Sequence, residues 1–548
     1  MPRAAVVCGS CKDLPVKANG VGAPFAGSGA KPQREISPRT APLRPQHAAA
    51  AGRCSSRLVA PIARTYRFHP WAALFTRSRH GSPRPVLAVL AALAAAACAG
   101  PANPGVPAAP PLVARPPSAP RAAQPRPRAS VPPPVMAFAA AAGTGASAAD
   151  ASPNLRRVPL NVLLVVVDAM RADMPWAGYA RDIAPRLTAL ERQSVAYTRA
   201  YAVSSYTAMS VGGLLAGRYP SELDRSGYFF SHFPASVLTF PELLQQAGIR
   251  TLAAHAHFYF DEKAGFRQGF DDYRMVPGLS ADNVTDRNIT SPQHADLAIA
   301  MLSDPKTTAG QFFAWFHFMD PHEQYMPHDD VAPCGSRPRD RYDGEILFAD
   351  RHIGRLLDFV NAQPWGGRTA IVITSDHGEA FGEKGAGRHG FELWEAMVRV
   401  PLFLAIPGVA PRRIDVPRSA IDLAPTILEL MGLPPHPGFQ GHSLLAEIRG
   451  ELPPEPRDVV VDLPRTNDND RRRALIGGRH KLISFGDDFR YELYNVVADP
   501  EERIDLRRRD PKTYQELLER YRERSKTIRD ICPEMRHRLK NKLASRPC

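Results

Sequence analysis

The sequence predicts an α/β fold: a largely parallel central sheet flanked by helices, followed by a small C-terminal α+β subdomain. Three observations carry that expectation. Continuous apolar runs at 161–167, 250–254, 311–318, 369–374 and 400–406 have the length and composition of strands buried on both faces. Helical patterns alternate with them, as crossover connections between parallel strands require. Beyond Pro453 the texture shifts to shorter strand-like segments and one charged helical stretch.

Taken in order, Asn161–Val167 is a strand that ends in Asp168. Ser204–Pro220 leads with hydroxyl residues into a helix whose early glycines permit close packing or close approach of a substrate. Pro241–Gly248 is a short helix closed by its glycine. Ile346, Ala349, Ile353, Leu356, Leu357 and Val360 recur at helical spacing and form an amphipathic crossover helix. Thr369–Thr374 is a strand delivering Ser375-Asp376-His377-Gly378-Glu379, and Asp422–Gly432 is a helix stopped by Gly432. Residues 457–463 and 473–494 read as short antiparallel strands against a helix at 511–530. The expected organisation is a low-complexity region at 1–154, a catalytic domain at 155–452, a C-terminal subdomain at 453–530 and a basic tail at 531–548.

The net charge of +14 is a property of the first region, where residues 1–154 hold 18 Lys+Arg against 3 Asp+Glu. The rest of the chain is close to neutral, which excludes a nucleic-acid footprint. Within the Ala-, Pro- and Arg-rich region, Arg77, Arg79 and Arg84 precede an apolar run at 86–97 and then Cys98-Ala99-Gly100. A basic flank, an apolar run of about a dozen residues and small residues before a Cys read as a secretory signal, too short to span a bilayer. Cys98 resembles the lipid-modified Cys of bacterial lipoproteins, so a lipid anchor at Cys98 and an extracytoplasmic location are expected, with 99–154 as an extended tether. Only Cys334, Cys532 and Cys548 remain for the body, enough for one disulfide and too few for a disulfide framework.

Two buried strands that each end in an acid, with His377 beside one of them, describe a hard-metal site at the carboxyl edge of a sheet: Asp168, Asp376 and His377. Thr207 stands at the start of the helix that follows Ser204-Ser205-Tyr206. Its ordinary role would be to cap that helix. Beside metal-type acids, it becomes a hydroxyl that a helix N-terminus and a cation would activate.

At this point the chain resembles the sulfatase family of the alkaline phosphatase superfamily, over roughly residues 158–510. The resemblance is carried by Val165-Val166-Val167-Asp168, Leu214-Leu215-Ala216-Gly217-Arg218-Tyr219-Pro220, Gly269-Phe270-Asp271 and Met319-Asp320-Pro321-His322. It continues through Thr374–Glu379, His389-Gly390, Asp422–Thr426 and Glu492-Leu493-Tyr494-Asn495. It implies an alkaline-phosphatase-like fold and places the family's nucleophile on Thr207, with Ser210 three residues later. True sulfatases carry there a Cys or Ser that is oxidised to formylglycine. Thr cannot follow that route, so no formylglycine is expected. Val211 and Ala256 also stand where the family has Arg and Lys.

The expected mechanism is attack by the Thr207 oxygen on sulfur or phosphorus, activated by a divalent metal on Asp168, Thr207, Asp376 and His377. The resemblance adds His389 and His322 as leaving-group and oxyanion contacts, with Ser210 and Lys481 as further substrate contacts. Asp320, His322 and His389 could alternatively hold a second metal. His255, His257 and His317 are read as ordinary surface or capping histidines, and Glu379 and Glu383 as supporting acids. The donor set suits Zn or Mn, whereas the sulfatase precedent implies Ca or Mg. The expected substrate is a small-molecule, glycan or lipid ester anion, with specificity in the loops 221–236 and 276–292. A phospho-headgroup transferase of the cell envelope and a catalytically inactive binding protein are the competing readings.

Overall fold

A computed structural model describes residues 158–227, 231–279, 287–332 and 334–533. The signal-like segment at 77–98 with Cys98, and the tail beyond Pro533, lie outside the described residues. The first strand, β1 (Asn161–Val167), is buried along its whole length. An unbroken Val/Leu run requires this of a strand covered on both faces. The chain continues through α1 (Pro185–Glu191), β2 (Val195–Tyr201), α2 (Thr207–Ala216), α3 (Phe240–Gln246), β3 (Arg250–His255) and β4 (Asp272–Met275). Next come α4 (Ser291–Ser303), α5 (Pro305–Thr308), β5 (Phe312–Phe318), α6 (Pro338–Ala362) and β6 (Thr369–Thr374). Then follow α7 (Glu395–Val398), β7 (Arg399–Ala405), β8 (Arg412–Ile414), β9 (Arg418–Ser419), α8 (Leu423–Leu430) and α9 (Leu445–Arg449).

These strands form one sheet in the order β4-β3-β5-β1-β6-β7-β2-β8, with β9 also paired to β2. From β4 to β6 every pair is parallel. Strand β7, read from sequence as one more run of a parallel sheet, is antiparallel to both β6 and β2. Strands β2, β4, β8 and β9 were not legible as apolar runs. Thr198 and Arg199 interrupt β2, and β4 and β8 begin Asp-Tyr-Arg and Arg-Arg.

Alternate residues of β1 enter different layers, as the period of a strand dictates. Val162, Leu164 and Val166 pack in a cluster with Met209 and Leu214 of α2 and Leu423 and Ile427 of α8. Leu163, Val165 and Val167 pack with Leu187 of α1, Met301 of α4 and Ile346 and Ile353 of α6. The result is a helix–sheet–helix sandwich.

The C-terminal subdomain is an antiparallel sheet of β10 (Val459–Leu463), β11 (Arg472–Gly477), β12 (His480–Phe485) and β13 (Arg490–Asn495), backed by α10 (Pro511–Lys526). Its inner face shares the first of the two clusters. A buried ion pair, Arg473 with Asp462 at 3.0 Å, adds to the junction, because Asp462 also accepts from the Ser221 backbone N–H at 2.7 Å. Cys334 is free and Cys532 is disulfide-bonded. Among the described residues no helix is long and apolar enough to cross a membrane.

Candidate metal and nucleophile site

Strand register assembles the acids. Val166 of β1 pairs with His317 of β5 on one side and with Thr374 of β6 on the other. Asp168 and Asp376, each two residues further along, therefore leave the sheet side by side, with the His317 ring beneath them. The turn after β6 needs glycine at 378, where a Cβ would stand 2.2 Å from the Ala396 carbonyl oxygen. Short hydrogen bonds sew this turn to the one after β1. Asp376 Oδ1 accepts from the Ala169 N–H at 3.3 Å and its neighbour's own N–H (His377) at 3.0 Å. The Met170 N–H donates to Ser375 Oγ at 2.9 Å. Arg171 donates to the Glu379 carbonyl at 2.6 Å and to Glu383 at 2.8 Å.

Thr207 is the first residue of α2, and Tyr206 is its N-cap. The Thr207 hydroxyl lies 3.2 Å from Asp168 Oδ2 and 3.1 Å from His377 Nε2. It is therefore turned to the acids rather than to the helix backbone. His377 Nδ1 lies 3.0 Å from the Gly378 carbonyl, which can only accept, so Nδ1 holds the ring proton and Nε2 presents a lone pair.

Asp168, His317 and Asp376 each offer a ligand atom, all within 4.8 Å of one another, and all three side chains are buried. His317 Nε2 is 3.2 Å from Asp168 Oδ2 and 4.0 Å from Asp376 Oδ2. Asp168 Oδ1 and Asp376 Oδ2 are buried with no hydrogen-bond partner. An ionised oxygen left so is costly unless a cation completes it, so the residues present fit a divalent metal. The electrostatics agree. Burial alone would raise the Asp168 carboxyl, but the hydrogen bond from His317 and the charges of His322 and His377 hold it well below the usual range. Burial and the Asp168 charge push Asp376 up.

Beside this group lies an arc of imidazoles. The His389 ring stacks on His377 with centroids 4.2 Å apart and meets His322 at 5.2 Å, and His322 is 6.1 Å from His257. Glu379 accepts from His389 Nδ1 at 3.1 Å and from the Tyr325 hydroxyl at 3.0 Å, tying together the loops that carry His389 and His322. Burial pulls the His389 pKa down. The charge and hydrogen bond of Glu379, with Asp168 and Asp376, outweigh it and push it up to about 9.

The surroundings of four further residues bear on what the sequence led one to expect of them. Lys481 is fully buried, held 3.1 Å from Glu395 and 3.0 Å from Glu502, and has no route to a substrate anion. Ser210 donates its proton to the Asp376 backbone carbonyl, which ties α2 to the turn after β6. Asp320 is turned to α4, accepting from the Thr290 N–H at 2.6 Å and the Ser291 N–H at 2.7 Å. That occupies both its oxygens and removes it from a second metal set with His322 and His389. His317, read as an ordinary histidine, is fully buried between the two acids. Its one sequence signal is its place near the end of an apolar run, Phe312–Phe318, which matters only once that run is known to pair with β1.

Two family models match the chain: the sulfatase model over residues 160–433 and the N-sulphoglucosamine sulphohydrolase C-terminal model over residues 387–530. The ulvan-active sulfatase of Formosa agariphila is 25% identical over 347 residues, covering 55% of this chain and 67% of that protein. The choline-sulfatase of Rhizobium meliloti is 25% identical over 425 residues, covering 63% of this chain and 82% of that protein. The phosphonate monoester hydrolase of Agrobacterium radiobacter superposes with a TM-score of 0.55 at 18% identity, covering 68% of this chain and 95% of that one. A protein solved in complex with its substrate D-glucosamine-2-N,6-O-disulfate superposes with a TM-score of 0.58 at 19% identity, covering 69% of this chain and 100% of that one. At such identities the superpositions speak for the fold alone.

Proposed function

The chain belongs to the sulfatase family, and from that premise we propose that it is an exported, metal-dependent ester hydrolase whose nucleophile is Thr207. The observation that carries this reading is the Thr207 hydroxyl set between Asp168 and His377, beside two buried carboxylate oxygens that have no partner. Asp168, Asp376, His377 and His317 would hold the metal, a mixed carboxylate and imidazole donor set that suits zinc or manganese. When bound, it supplies a positive charge that lowers the pKa of the neighbouring hydroxyl.

The protein's own groups do the rest. Thr207 gives its proton to Asp168, 3.2 Å away, and its oxygen bonds to the sulfur or phosphorus of the ester. The bond to the leaving oxygen breaks with its electron pair, and His389 supplies that oxygen with a proton. The uncapped first N–H groups of α2 receive the oxyanion charge. Water then adds to the Thr207 ester and gives a proton to His389, while Asp168 returns its proton to the Thr207 oxygen as the acid leaves. Substrates of the relatives, ulvan and choline esters among them, support a sulfate ester of a glycan or small molecule, and the phosphonate monoester hydrolase likeness supports a phosphorus centre.

The test is turnover of aryl sulfate, phosphodiester and phosphonate monoester panels across zinc, manganese, calcium and magnesium. Thr207→Ala should lose at least ~10³-fold in kcat, as removal of a nucleophile does in other enzymes. Full turnover in Thr207→Ala would exclude it as nucleophile. Absence of any turnover in the metal-loaded wild type would favour a binding protein. Export and acylation predict a mature chain that begins at Cys98; an intact N-terminus by mass spectrometry would refute both.

A further inference from the structure

His389 is delivered by a loop with little packing of its own. Between Glu379 and α7, residues 380–392 form no regular element beyond one short turn, Glu383–Gly385. Gly387, two residues before His389, has no positive φ and no neighbour within 4 Å of where a Cβ would stand, so only tethers fix the chain there. Glu379 meets His389 itself at 3.1 Å, and Glu392 at the far end meets Arg472 of β11 at 3.2 Å. Arg388 pairs with Glu323 at an exposed rim, where an ion pair counts for little. Glu383 accepts from Arg171 at 2.8 Å, which ties the loop to the turn after β1. The next residue, Lys384, reaches the other way.

Lys384 lies at the surface, yet its Nζ turns to the C-terminal subdomain. It donates to the Tyr494 hydroxyl of β13 at 3.0 Å and to the Glu502 carbonyl at 3.1 Å. It also stands 4.9 Å from the Trp394 ring centroid and 4.8 Å from that of Tyr494, over two rings that are themselves buried. Both ends of this clasp hold unfavourable backbone. Lys384 has a φ of 53° and Glu502 one of 55°, the left-handed region that a β-carbon disfavours. In the turn between Gly382 and Gly385, glycine would take that conformation without cost. Such a residue persists where the structure around it holds its side chain.

Glu502 links the clasp to the frame of the site. Its carboxylate accepts from Lys481 at 3.0 Å and from the Glu395 N–H at 2.7 Å. Glu395 opens α7, and the Met397 carbonyl of α7 accepts from the Gly378 N–H, in the turn after β6, at 2.7 Å. One residue outside the catalytic sheet thus grips both the His389 loop and the support of the Asp376 turn.

Resting on the hydrolase reading above, we propose that Lys384 is a positioning residue: its clasp on Tyr494 and Glu502 holds the loop where His389 meets the leaving oxygen. The C-terminal subdomain thereby sets the geometry of that proton transfer. Without the clasp the loop keeps its bonds through Glu379 and Glu383 but loses the pull in the second direction. A displacement of about 1 Å costs on the order of 100-fold where a proton must pass. It costs little where the leaving group departs unprotonated.

The experiment uses the metal-loaded full chain and two esters of one acid, sulfate or phenylphosphonate, whichever the wild type turns over faster. The phenyl ester needs a proton on its leaving oxygen, and the 4-nitrophenyl ester releases a stable anion. The quantity compared is kcat/KM, which reports the steps up to departure of the leaving group. Lys384→Met keeps the stem and removes the amine. Expected is a fall of about 10- to 100-fold for the phenyl ester and less than about threefold for the 4-nitrophenyl ester. Lys384→Arg, which keeps a cation over both rings, should restore most of the phenyl-ester rate. Tyr494→Phe, a change within the C-terminal sheet, should give the same pattern to a smaller degree. Hydrogen exchange reads the clasp without turnover. The Gly382, Gly385 and Ala386 amides, bonded within the loop, should exchange about tenfold faster in Lys384→Met, with the Gly378 amide unchanged. An equal fall on both esters, or no fall, overturns the proposal, as does unchanged exchange in the loop. Absence of wild-type turnover on every ester counts against the hydrolase reading, and the exchange measurement then decides the clasp.

Discussion

Asp376→Asn should make the metal-free protein more stable and at the same time destroy its response to metal. The carboxylates of Asp168 and Asp376 present ligand oxygens within 4.8 Å of each other in a fully buried setting. Two unit charges at that distance repel by about 3.5 kcal/mol at an effective dielectric of 20. The amide of the variant keeps an oxygen to accept from the Ala169 and His377 N–H groups, which bind Asp376 Oδ1 in the wild type. Its NH₂ replaces the buried, partnerless Oδ2, and so removes one of the two buried charges. Part of the repulsion is already relieved by the surrounding imidazoles, so the expected gain is about 1–3 kcal/mol in chelator near pH 8, a rise of a few degrees in melting temperature. Saturating zinc or manganese at about 100 times Kd should stabilise the wild type by about 2.7 kcal/mol, and should do little for the variant. Differential scanning calorimetry with and without metal reads both effects, and metal should close or reverse the stability gap between the two proteins. A variant that is less stable in chelator yet still shifted by metal would refute the reasoning, because the carboxylate pair would then be neither strained nor a metal site.

Three further outcomes follow from the same geometry. His317→Ala should weaken metal affinity 10- to 100-fold or more by titration calorimetry, roughly the scale seen when a metal-site partner is lost, and unchanged affinity would return His317 to a structural role. Lys481→Met should destabilise the fold by about 3–5 kcal/mol in urea unfolding, since Glu395 and Glu502 would remain buried without their cation, and a neutral effect would mean that the carboxylates simply protonate. Burial raises Glu345 to about 7 despite its bond to His328 at 2.7 Å. Because the folded protein holds that proton more tightly than the unfolded chain, wild-type stability should fall as pH rises from about 4.5 through 7. Glu345→Gln lacks this titration, so its stability relative to wild type should improve by up to ~3 kcal/mol between pH 5 and 8, and a change of opposite sign would refute the shift.

Local pattern made much of this protein legible. A strand buried on both faces announces itself by an unbroken apolar run, and β1, β5 and β6 lie within a residue of where those runs put them. The acid at the end of such a run is visible for the same reason, because a charge directly after a buried strand stands at the sheet's edge. Asp168 and Asp376 are residues of that kind, with His377 beside the second; Thr207 was legible from its place at a helix start, and the fold brings all four together. Strand β7 was visible as a strand but not in its direction, since an apolar run reads the same both ways along a ladder.

What the sequence determined by itself was therefore the set of buried strands, the layering around them and the polar residues at their ends, all properties of near neighbours in the chain. Only the tertiary structure decided partnership. Lys481 meets Glu395 and Glu502, Asp320 meets the first turn of α4, Ser210 meets the Asp376 carbonyl and His317 meets Asp168. Each of these depends on which distant groups share a dry interior, where a charge must find its counter-charge or a hydrogen-bond donor its acceptor. Periodicity records whether a side chain is buried; it carries no record of what it is buried against.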